Sequence, residues 1–324
     1  LPSANKINAE VFYNKVDLFS YASKLYLGFG IILLIALFMR MFNSKLKIQW
    51  LINILFGGIV IMFILHTAAL SLRWYISGHA PWSNGYETTL FIAWASVLAG
   101  ISFAKRSPIS LSVTAILSAI FILISSLSWM DPEITNLVPV LKSYWLVIHV
   151  AVITSSYGFF ALSMLMGILN LFLILSVTKN NNKKILPTVS ELSSVIQMAM
   201  IIGMYLLTVG TFLGAVWANE SWGRYWGWDP KETWALVTII VYNIVTHLRH
   251  IPGMKSTYVV SAGAVLAFGS VLMTYFGVNY FLSGMHSYGA GDAFVIPFIA
   301  KFIVLLILIL VVGAGFKHAN NNKL

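Results

Sequence analysis

The histidines are the residues of this sequence best suited to binding a metal, because the chain holds seven of them and no cysteine. Without cysteine there can be no disulfide, no thiolate metal site and no cysteine nucleophile. Neutral imidazole is a common axial ligand of haem iron. The chemistry open to this protein therefore depends on where each histidine lies and on which residues lie at the same depth in the fold.

The stretch from Trp217 to Trp234 is the second unusual feature, because it holds five tryptophans interleaved with glycine and with charges of both signs. Such a segment is poorly suited to the hydrocarbon core of a bilayer, and long apolar runs lie on either side of it. Its indole rings can stack with offset geometry on a large flat partner such as a porphyrin. A tryptophan-rich loop at a membrane surface can also be simply an aromatic belt.

The elements that must position these residues are predicted to be membrane helices. Apolar residues make up 59% of the chain and charged residues 9%, whereas a soluble domain carries about a quarter charged residues. Several apolar runs approach the roughly 20 residues that cross a bilayer. A short surface helix is expected at residues 188–193. The sequence thus predicts an all-α polytopic membrane protein with about nine transmembrane helices, near residues 22–43, 48–70, 88–104, 109–129, 145–177, 194–216, 232–248, 257–281 and 294–316.

The distribution of charge predicts the orientation of these helices. The loops on one side carry one acid, Glu191, and most of the basic residues, namely Arg40, Lys45, Lys47, Lys105, Arg106, Lys179, Lys183, Lys184, Arg249, Lys255, Lys317 and Lys323. The other nine acids lie on the opposite side. The positive-inside rule places the basic side in the cytoplasm. The N-terminus is then outside, the C-terminus is cytoplasmic, and the tryptophan-rich segment is a loop on the outer face. The net charge of +10 therefore indicates orientation and gives no argument for a nucleic-acid partner.

Two histidines are predicted to lie at the membrane level of the tryptophan-rich segment. His149 is about one turn into the fifth span at its outer end, and His286 is in the outer loop after the eighth span. Two neutral imidazoles facing each other across an aromatic floor would make a site for six-coordinate haem. The alternative for each histidine is a hydrogen-bonded residue at the membrane interface.

His247 differs because it is predicted near the inner end of the seventh span. Ionisable residues within spans are functional hypotheses by default, so His247 is a candidate ligand of a second site reached from the cytoplasm. The alternative is a side chain that extends to the headgroups beside Arg249 and His250. His66, in the second span, is predicted to be structural or to support a ligand. The other histidines, His79, His250 and His318, are expected to face solvent or headgroups.

Three outer-face cations are candidates for pairing with haem propionates, since charge-assisted bonds to carboxylates are strong. They are Arg73, Arg224 and Lys231, and the alternative partners are lipid headgroups or the acids Glu87, Glu220 and Glu232. Asp229, Pro230 and Glu232 also have the pattern of an N-cap, a first-turn proline and an N3 acid. That pattern predicts that the tryptophan-rich loop ends near residue 229, so Asp229 is expected to be a helix cap and not a catalytic residue.

Several segments together resemble a known family. Residues 222–235, WGRYWGWDPKETWA, resemble the tryptophan-rich WWD signature of haem-handling proteins, in particular the CcsA (ResC-type) branch of system II cytochrome c biogenesis. Residues 73–88 resemble that family's first outer loop. Residues 145–149, WLVIH, and 282–289, LSGMHSYG, resemble its two histidine segments on either side of the signature.

The resemblance implies haem export and covalent attachment of haem to apocytochrome c, a holocytochrome c synthase activity of the haem lyase type. It implies that His149 and His286 are the axial and catalytic pair, that His247 ligates haem within the membrane, and that haem b is the transported substrate. The residues expected to contact haem are those of the tryptophan-rich segment, namely Trp217, Trp222, Arg224, Trp226 and Trp228.

The resemblance also implies partners and a location. The expected partners are a CcsB-like subunit or fused domain, which supplies the second inner ligand, an apocytochrome c with a Cys-x-x-Cys-His segment, and membrane lipid. The expected location is the bacterial inner membrane, with the active site on the periplasmic face. Residues 1–20 are expected to be an outer polar arm, and residues 21–324 the haem-handling membrane domain.

Two other classes of function fit parts of the sequence. A cytochrome b-like electron-transfer subunit would need histidine pairs inside spans at matched depth, and here only His247 is well placed within a span. A haem-independent solute transporter would show inverted repeats and broken mid-membrane helices, and no convincing repeat is present in the sequence.

Overall fold

The computed structural model describes residues 3–127, 130–134, 143–284 and 297–321. Within these ranges all regular structure is helical and no strand occurs, so the predicted all-α architecture is confirmed. Besides α-helices, the chain has a 3₁₀ turn at Leu248–His250 and a π-helical turn at Met273–Gly277. The helices are α1 (Ala4–Val16), α2 (Leu18–Phe42), α3 (Gln49–Ser77), α4 (Gly85–Phe103), α5 (Pro108–Ser125), α6 (Tyr144–Ser176), α7 (Asn182–Trp222), α8 (Pro230–His247), α9 (Thr257–Leu272), α10 (Val278–Phe281) and α11 (Phe298–Asn321).

The chain is an integral membrane protein, because eight helical stretches in its described part are long and apolar enough to cross a bilayer. In this count α1 with α2, and α9 with α10, each form one continuous stretch. The predicted seventh span is present as α8, yet it is not among the eight, since lysine, glutamate, asparagine and histidine make it more polar than the others. The outward orientation of the N-terminus stays a prediction.

Helix boundaries differ from the sequence-based ones in α7 and at the N-terminus. α7 is 41 residues long and continues through Pro187, so the prediction of a separate surface helix at residues 188–193 is wrong. Most of the expected polar arm is helix α1. α1 is set off from α2 by Asp17, whose backbone has a positive φ of 42°. Aspartate tolerates this left-handed conformation because its short side chain can hydrogen-bond locally.

One compact unit comprises residues 1–159 and 212–217. Its core is built from the apolar faces of α2, α3, α4 and α5. α2 and α5 approach closely at Gly30, where an added Cβ would lie 2.8 Å from Cγ1 of Ile116. The Ser112 hydroxyl of α5 donates to the Gly30 carbonyl at 2.7 Å. A small residue at the contact and a hydrogen bond across it are typical of helix packing in membranes.

A buried ion pair joins the end of α3 to the start of α4 in this unit. Arg73 at the end of α3 donates from Nε to Glu87 Oε1 at 2.8 Å, and both side chains are 1% exposed. The Arg73 guanidinium also donates to the Tyr13 hydroxyl of α1 and to the Pro132 and Glu133 carbonyls. Of the partners considered for Arg73 from the sequence, the structure shows the glutamate, so the arginine organises loops and is not displayed to a ligand.

The second compact unit comprises residues 160–211 and 218–324. In its interior Phe160 of α6 stacks on Tyr242 of α8, with ring centroids 3.8 Å apart. A buried polar contact joins three helices, because the Asn170 side-chain nitrogen in α6 lies within hydrogen-bonding distance of the Val189 carbonyl at 3.2 Å, Ser193 Oγ at 3.0 Å and Ser261 Oγ at 2.9 Å. In a membrane such contacts fix helix positions through the need to satisfy polar groups.

Candidate functional site

The tryptophan-rich segment is partly helical. α7 continues six residues beyond its predicted end and stops at Trp222. Gly223 ends it in the left-handed conformation, with φ of 71°, and its N–H donates to the Asn219 carbonyl at 2.9 Å. This is the usual role of glycine after a helix. The loop between α7 and α8 is therefore shorter than the sequence indicated and runs from Gly223 to Asp229.

The end of this loop is the cap that the sequence predicted. Asp229 is the N-cap of α8, Pro230 occupies the first turn, and Glu232 completes a capping box by accepting from the Asp229 N–H at 3.2 Å. The Asp229 carboxylate accepts from the Lys231 N–H at 3.0 Å. Two backbone donors that a helix start leaves unsatisfied are thus bound by side chains, which confirms the predicted cap.

The tryptophans of the segment differ in exposure. Trp217 is 1% exposed and lies inside the packed helices. Trp222 and Trp226 are half-buried, whereas Trp228 exposes 69% of its surface. The Trp226 and Trp228 rings meet edge to face, with centroids 5.6 Å apart. The ring available to a flat partner is therefore that of Trp228, with Trp226 beside it, and a haem-facing role for Trp217 stays a prediction. Arg224 in the same loop is exposed.

Trp228 has a strained backbone. Its φ is 57°, and among the described residues it shares a positive φ with one other non-glycine residue, Asp17. The left-handed conformation costs an L-residue roughly 1–2 kcal/mol, because Cβ approaches the following carbonyl. Strain of this kind persists where surrounding bonds impose it and is frequent at ligand-binding sites. Sequence reasoning missed it, since no glycine or asparagine marks the position.

His149 is half-buried in α6 and lies against α7. At Gly214, an added Cβ would lie 2.6 Å from His149 Nδ1 and 3.1 Å from Nε2, so the imidazole occupies the space that the missing side chain leaves. Gly214 precedes Trp217 by three residues, and all three residues belong to one compact unit. The first turn of α6 is held in place by Trp82, whose Nε1 donates to the Val147 carbonyl at 3.0 Å.

The role of Gly214 was missed in the sequence, although a signal was present. An isolated glycine within an apolar helical pattern suggests a packing or functional reason for its presence. The reason in the structure is packing, since the absence of a side chain at Gly214 leaves space for the His149 ring. The structure therefore brings the predicted ligand His149 to the helix that leads directly into the tryptophan-rich segment.

His286, the predicted partner of His149, lies outside the described residues. The described chain before it ends at Gly284, two residues earlier. An added Cβ at Gly284 would lie 2.5 Å from Asp229 Oδ2 and 2.8 Å from Pro230 Cδ. The backbone that leads to His286 thus contacts the cap at the end of the tryptophan-rich segment.

His247 is exposed at the C-terminal end of α8. Its Nδ1 lies 2.8 Å from the Asn243 carbonyl oxygen. A carbonyl can only accept, so Nδ1 carries the proton and Nε2 keeps its lone pair for a metal, the arrangement usual for ligating histidines. The ring of His250 lies 5.9 Å away between centroids, and Arg249 donates to His250 Nε2. In the described part of the chain no cluster of three His, Asp or Glu side chains suited to a metal ion occurs.

His66 is fully buried in α3, between the rings of Phe19 and Tyr26 at centroid distances of 5.5 and 6.1 Å. Neither of its ring nitrogens makes a hydrogen bond to the described residues. This position fits the structural role expected from the sequence.

The chain matches known proteins over most of its length. A family model described as cytochrome C assembly protein matches residues 82–286. The protein NrfI of Wolinella succinogenes is 43% identical over 296 residues, 90% of this chain and 32% of its own length. The cytochrome c biogenesis protein CcsA of Guillardia theta is 33% identical over 86% of this chain and 99% of its own length. The CcsA of Olimarabidopsis pumila is 34% identical over 80% and 93%.

The chain thus spans about a third of NrfI but nearly the whole of the CcsA proteins. The matched region contains the His149 turn of α6, all of α7, and the capped tryptophan-rich loop. Family and architecture therefore agree: the chain belongs to the cytochrome c assembly protein family, among the CcsA proteins, and has a role in cytochrome c maturation.

Proposed function

We propose that this protein brings haem to the outer face of the membrane and holds it there for covalent attachment to apocytochrome c. Two contacts, each within one compact unit, support the proposal. The His149 ring rests on Gly214, just before Trp217. Gly284, two residues before His286, rests on the Asp229 cap at the segment's other end. Two positions of extended chain, the separation between Gly284 and His286, span about 7 Å at most.

The residues of the segment suit haem as a substrate. The exposed ring of Trp228 offers a stacking face, and offset stacking favours a flat conjugated partner. His149 and His286 supply the two imidazoles for the axial positions of the iron. In this proposal the exposed Arg224 pairs with a propionate, since arginine binds carboxylates through parallel hydrogen bonds.

The attachment step needs no acid or base from this chain. The histidine of a Cys-x-x-Cys-His segment replaces one axial histidine, and each cysteine thiol adds across one vinyl group of haem b. In each addition sulfur bonds to one vinyl carbon and the thiol proton goes to the other, so nothing is oxidised and no group leaves. The protein contributes orientation, which in favourable cases is worth about 7–11 kcal/mol of the barrier. The iron is expected to be ferrous for release.

The route from the cytoplasmic side uses His247 in this proposal. Its side chain is exposed and its Nδ1 is held by the Asn243 carbonyl. The second inner ligand comes from a CcsB-like subunit or fused domain, and the membrane is the bacterial inner membrane with the outer site on its periplasmic face.

Replacing His247 by alanine is expected to lower haem bound to the protein by about half and cytochrome c maturation by roughly tenfold, since secondary interactions of one metal ligand are already worth 10–100-fold. The measurement is the haem spectrum of the purified protein, with covalent haem on a cytochrome c reporter. His318→Ala, a histidine of α11 that stacks on Tyr258, is the matched control and should leave both signals unchanged. Equal haem content in His247→Ala and the unaltered protein would remove His247 from the route.

The proposed function is tested by expressing the chain with a CcsB-like partner and a Cys-x-x-Cys-His reporter in cells that lack their own maturation system. The expected result is a Soret band in the purified protein and thioether-linked haem on the reporter. A Soret band with reversible electron transfer to quinol and no thioether would favour the electron-transfer alternative. The absence of a Soret band after haem-replete expression would favour a haem-independent transporter.

A further inference from the structure

One carboxylate oxygen holds the strained backbone of the tryptophan-rich loop from both sides. Oε2 of Glu232 accepts a hydrogen bond from the Gly227 N–H at 2.8 Å and a second from the Asp229 N–H at 3.2 Å. Trp228, with its φ of 57°, lies between these two donors. The peptide planes that bracket Gly227 and Trp228 are thus both bound to the same side chain.

The bond from Gly227 goes beyond what helix capping requires. A capping box needs the N3 side chain to accept from the N-cap N–H, and the bond from Asp229 satisfies that need. Gly227 precedes the cap by two residues, so its bond adds nothing to the start of α8. It acts on the loop alone, by fixing the backbone at the residue whose conformation is unfavourable.

The Arg224 side chain lies against the backbone of Gly227, since an added Cβ there would lie 2.9 Å from the Cζ and Nε atoms of its guanidinium. That guanidinium ends a flexible, exposed side chain, so this contact fixes the loop less firmly than the two bonds to Glu232. Trp228 exposes 69% of its surface, and its ring meets that of Trp226 edge to face. Its position therefore depends more on its backbone than on burial.

We propose that Glu232 is a positioning residue that presents the Trp228 ring to haem. It does so by binding the N–H groups on either side of a left-handed tryptophan that would otherwise relax. This inference rests on the proposed function for its haem partner, but the positioning itself is a property of the chain without haem.

The first experiment uses the full-length protein without haem. Hydrogen exchange of the Gly227 and Asp229 amides is measured by mass spectrometry in Glu232→Ala and Glu232→Gln. Exchange is expected to be at least tenfold faster in Glu232→Ala. Glu232→Gln should keep most of the protection, because an amide oxygen still offers two lone pairs. Glu191→Ala, which removes an acid from α7, is the control and should not change the exchange of these two amides. Unchanged exchange in Glu232→Ala would overturn the proposal.

A second measurement separates positioning from ordinary capping. Glycine adopts a left-handed backbone without steric cost, so Trp228→Gly removes the strain that Glu232 holds. In this background the effect of Glu232→Ala on loop exchange is expected to be at least threefold smaller. An equal effect in both backgrounds would mean that Glu232 only caps α8, and the proposal would then be wrong.

The last readout is the haem-loaded protein. Glu232→Ala should retain its haem, because the axial histidines are untouched, but the circular dichroism of the Soret band should fall at least twofold and reporter maturation about tenfold. Glu232→Gln should restore both. A loosened loop with an unchanged Soret dichroism would overturn the link between Glu232 and haem. If the unaltered protein binds no haem, the proposed function fails. The exchange result still decides whether Glu232 holds the backbone at Trp228.

Discussion

Replacing Gly214 by alanine is expected to lower haem bound at the outer site at least tenfold and cytochrome c maturation about 100-fold. The added Cβ would lie 2.6 Å from Nδ1 of His149 and still closer to Cε1, which no real side chain tolerates without movement. The ring must shift by about 1 Å, and a misplacement of that size can cost about 100-fold in rate. The measurements are the Soret absorbance per protein and the thioether-linked haem on a reporter cytochrome.

Two comparisons make this result specific to His149. Gly57→Ala in α3 has nothing within 4 Å of the new methyl group, and such a change in a helix stabilises by about 1 kcal/mol, so both signals should stay at the unaltered level. His149→Ala should lose outer-site haem at least as completely as Gly214→Ala. Full haem content in Gly214→Ala together with a loss in His149→Ala would show that haem binding does not need the space at Gly214. Full haem and maturation in both His149→Ala and His286→Ala would refute the site assignment.

Replacing Arg73 by alanine is expected to destabilise the protein by about 3–5 kcal/mol, because it leaves the Glu87 carboxylate buried without its counter-charge. Both side chains are 1% exposed. Arg73 also binds Tyr13 and the carbonyls of Pro132 and Glu133, so α1 and the 130–134 loop should loosen together. The measurement is thermal unfolding in detergent with the amount of folded protein recovered from membranes.

The double variant Arg73→Met/Glu87→Leu distinguishes a buried charge from lost packing. Apolar replacement of both partners of an ion pair is often close to neutral, so the double variant is expected to be more stable than either single alanine variant. Full recovery is not expected, since the Pro132 carbonyl and the Ser83 N–H lose their partners. Arg40→Ala, an exposed arginine that binds Gln49, is the control and should change stability by about 0–1 kcal/mol. A double variant as unstable as Arg73→Ala would contradict the explanation by charge burial.

Local patterns predicted the parts of the site that depend on neighbouring residues in the sequence. The cap formed by Asp229, Pro230 and Glu232 was predicted because capping needs only residue types at fixed spacing. The membrane helices were predicted because apolar length alone requires them. The resemblance named His149 and His286, and the structure places His149 beside the tryptophan-rich segment's helix.

What the sequence did not predict depends on contacts between distant residues. By sequence Trp217 belongs to a segment expected at the surface. It is buried because α7 continues to Trp222, which turns the Trp217 ring inward. The contact of Gly214 with His149 joins residues that are 65 positions apart. The left-handed Trp228 follows from bonds to Glu232, and no residue preference would have suggested it. The sequence allowed three kinds of partner for Arg73, namely haem propionates, lipid headgroups and acidic side chains, and the buried pair with Glu87 decided among them.

The polarity of α8 has a consequence for the order in which the protein is made. α8 carries the proposed inner ligand, yet it is not among the helices apolar enough to enter a bilayer by length and composition. It is held by α9 and the turn that follows: Thr238 Oγ1 lies 2.9 Å from Thr274 Oγ1, and Gly263 leaves room for Val245. We therefore expect α8 to settle in the membrane only after residue 274 has left the ribosome and inserted. In a nascent chain that ends before residue 274, His247 would lack this support, so the proposed haem contact of His247 is expected to form only after that residue has been made.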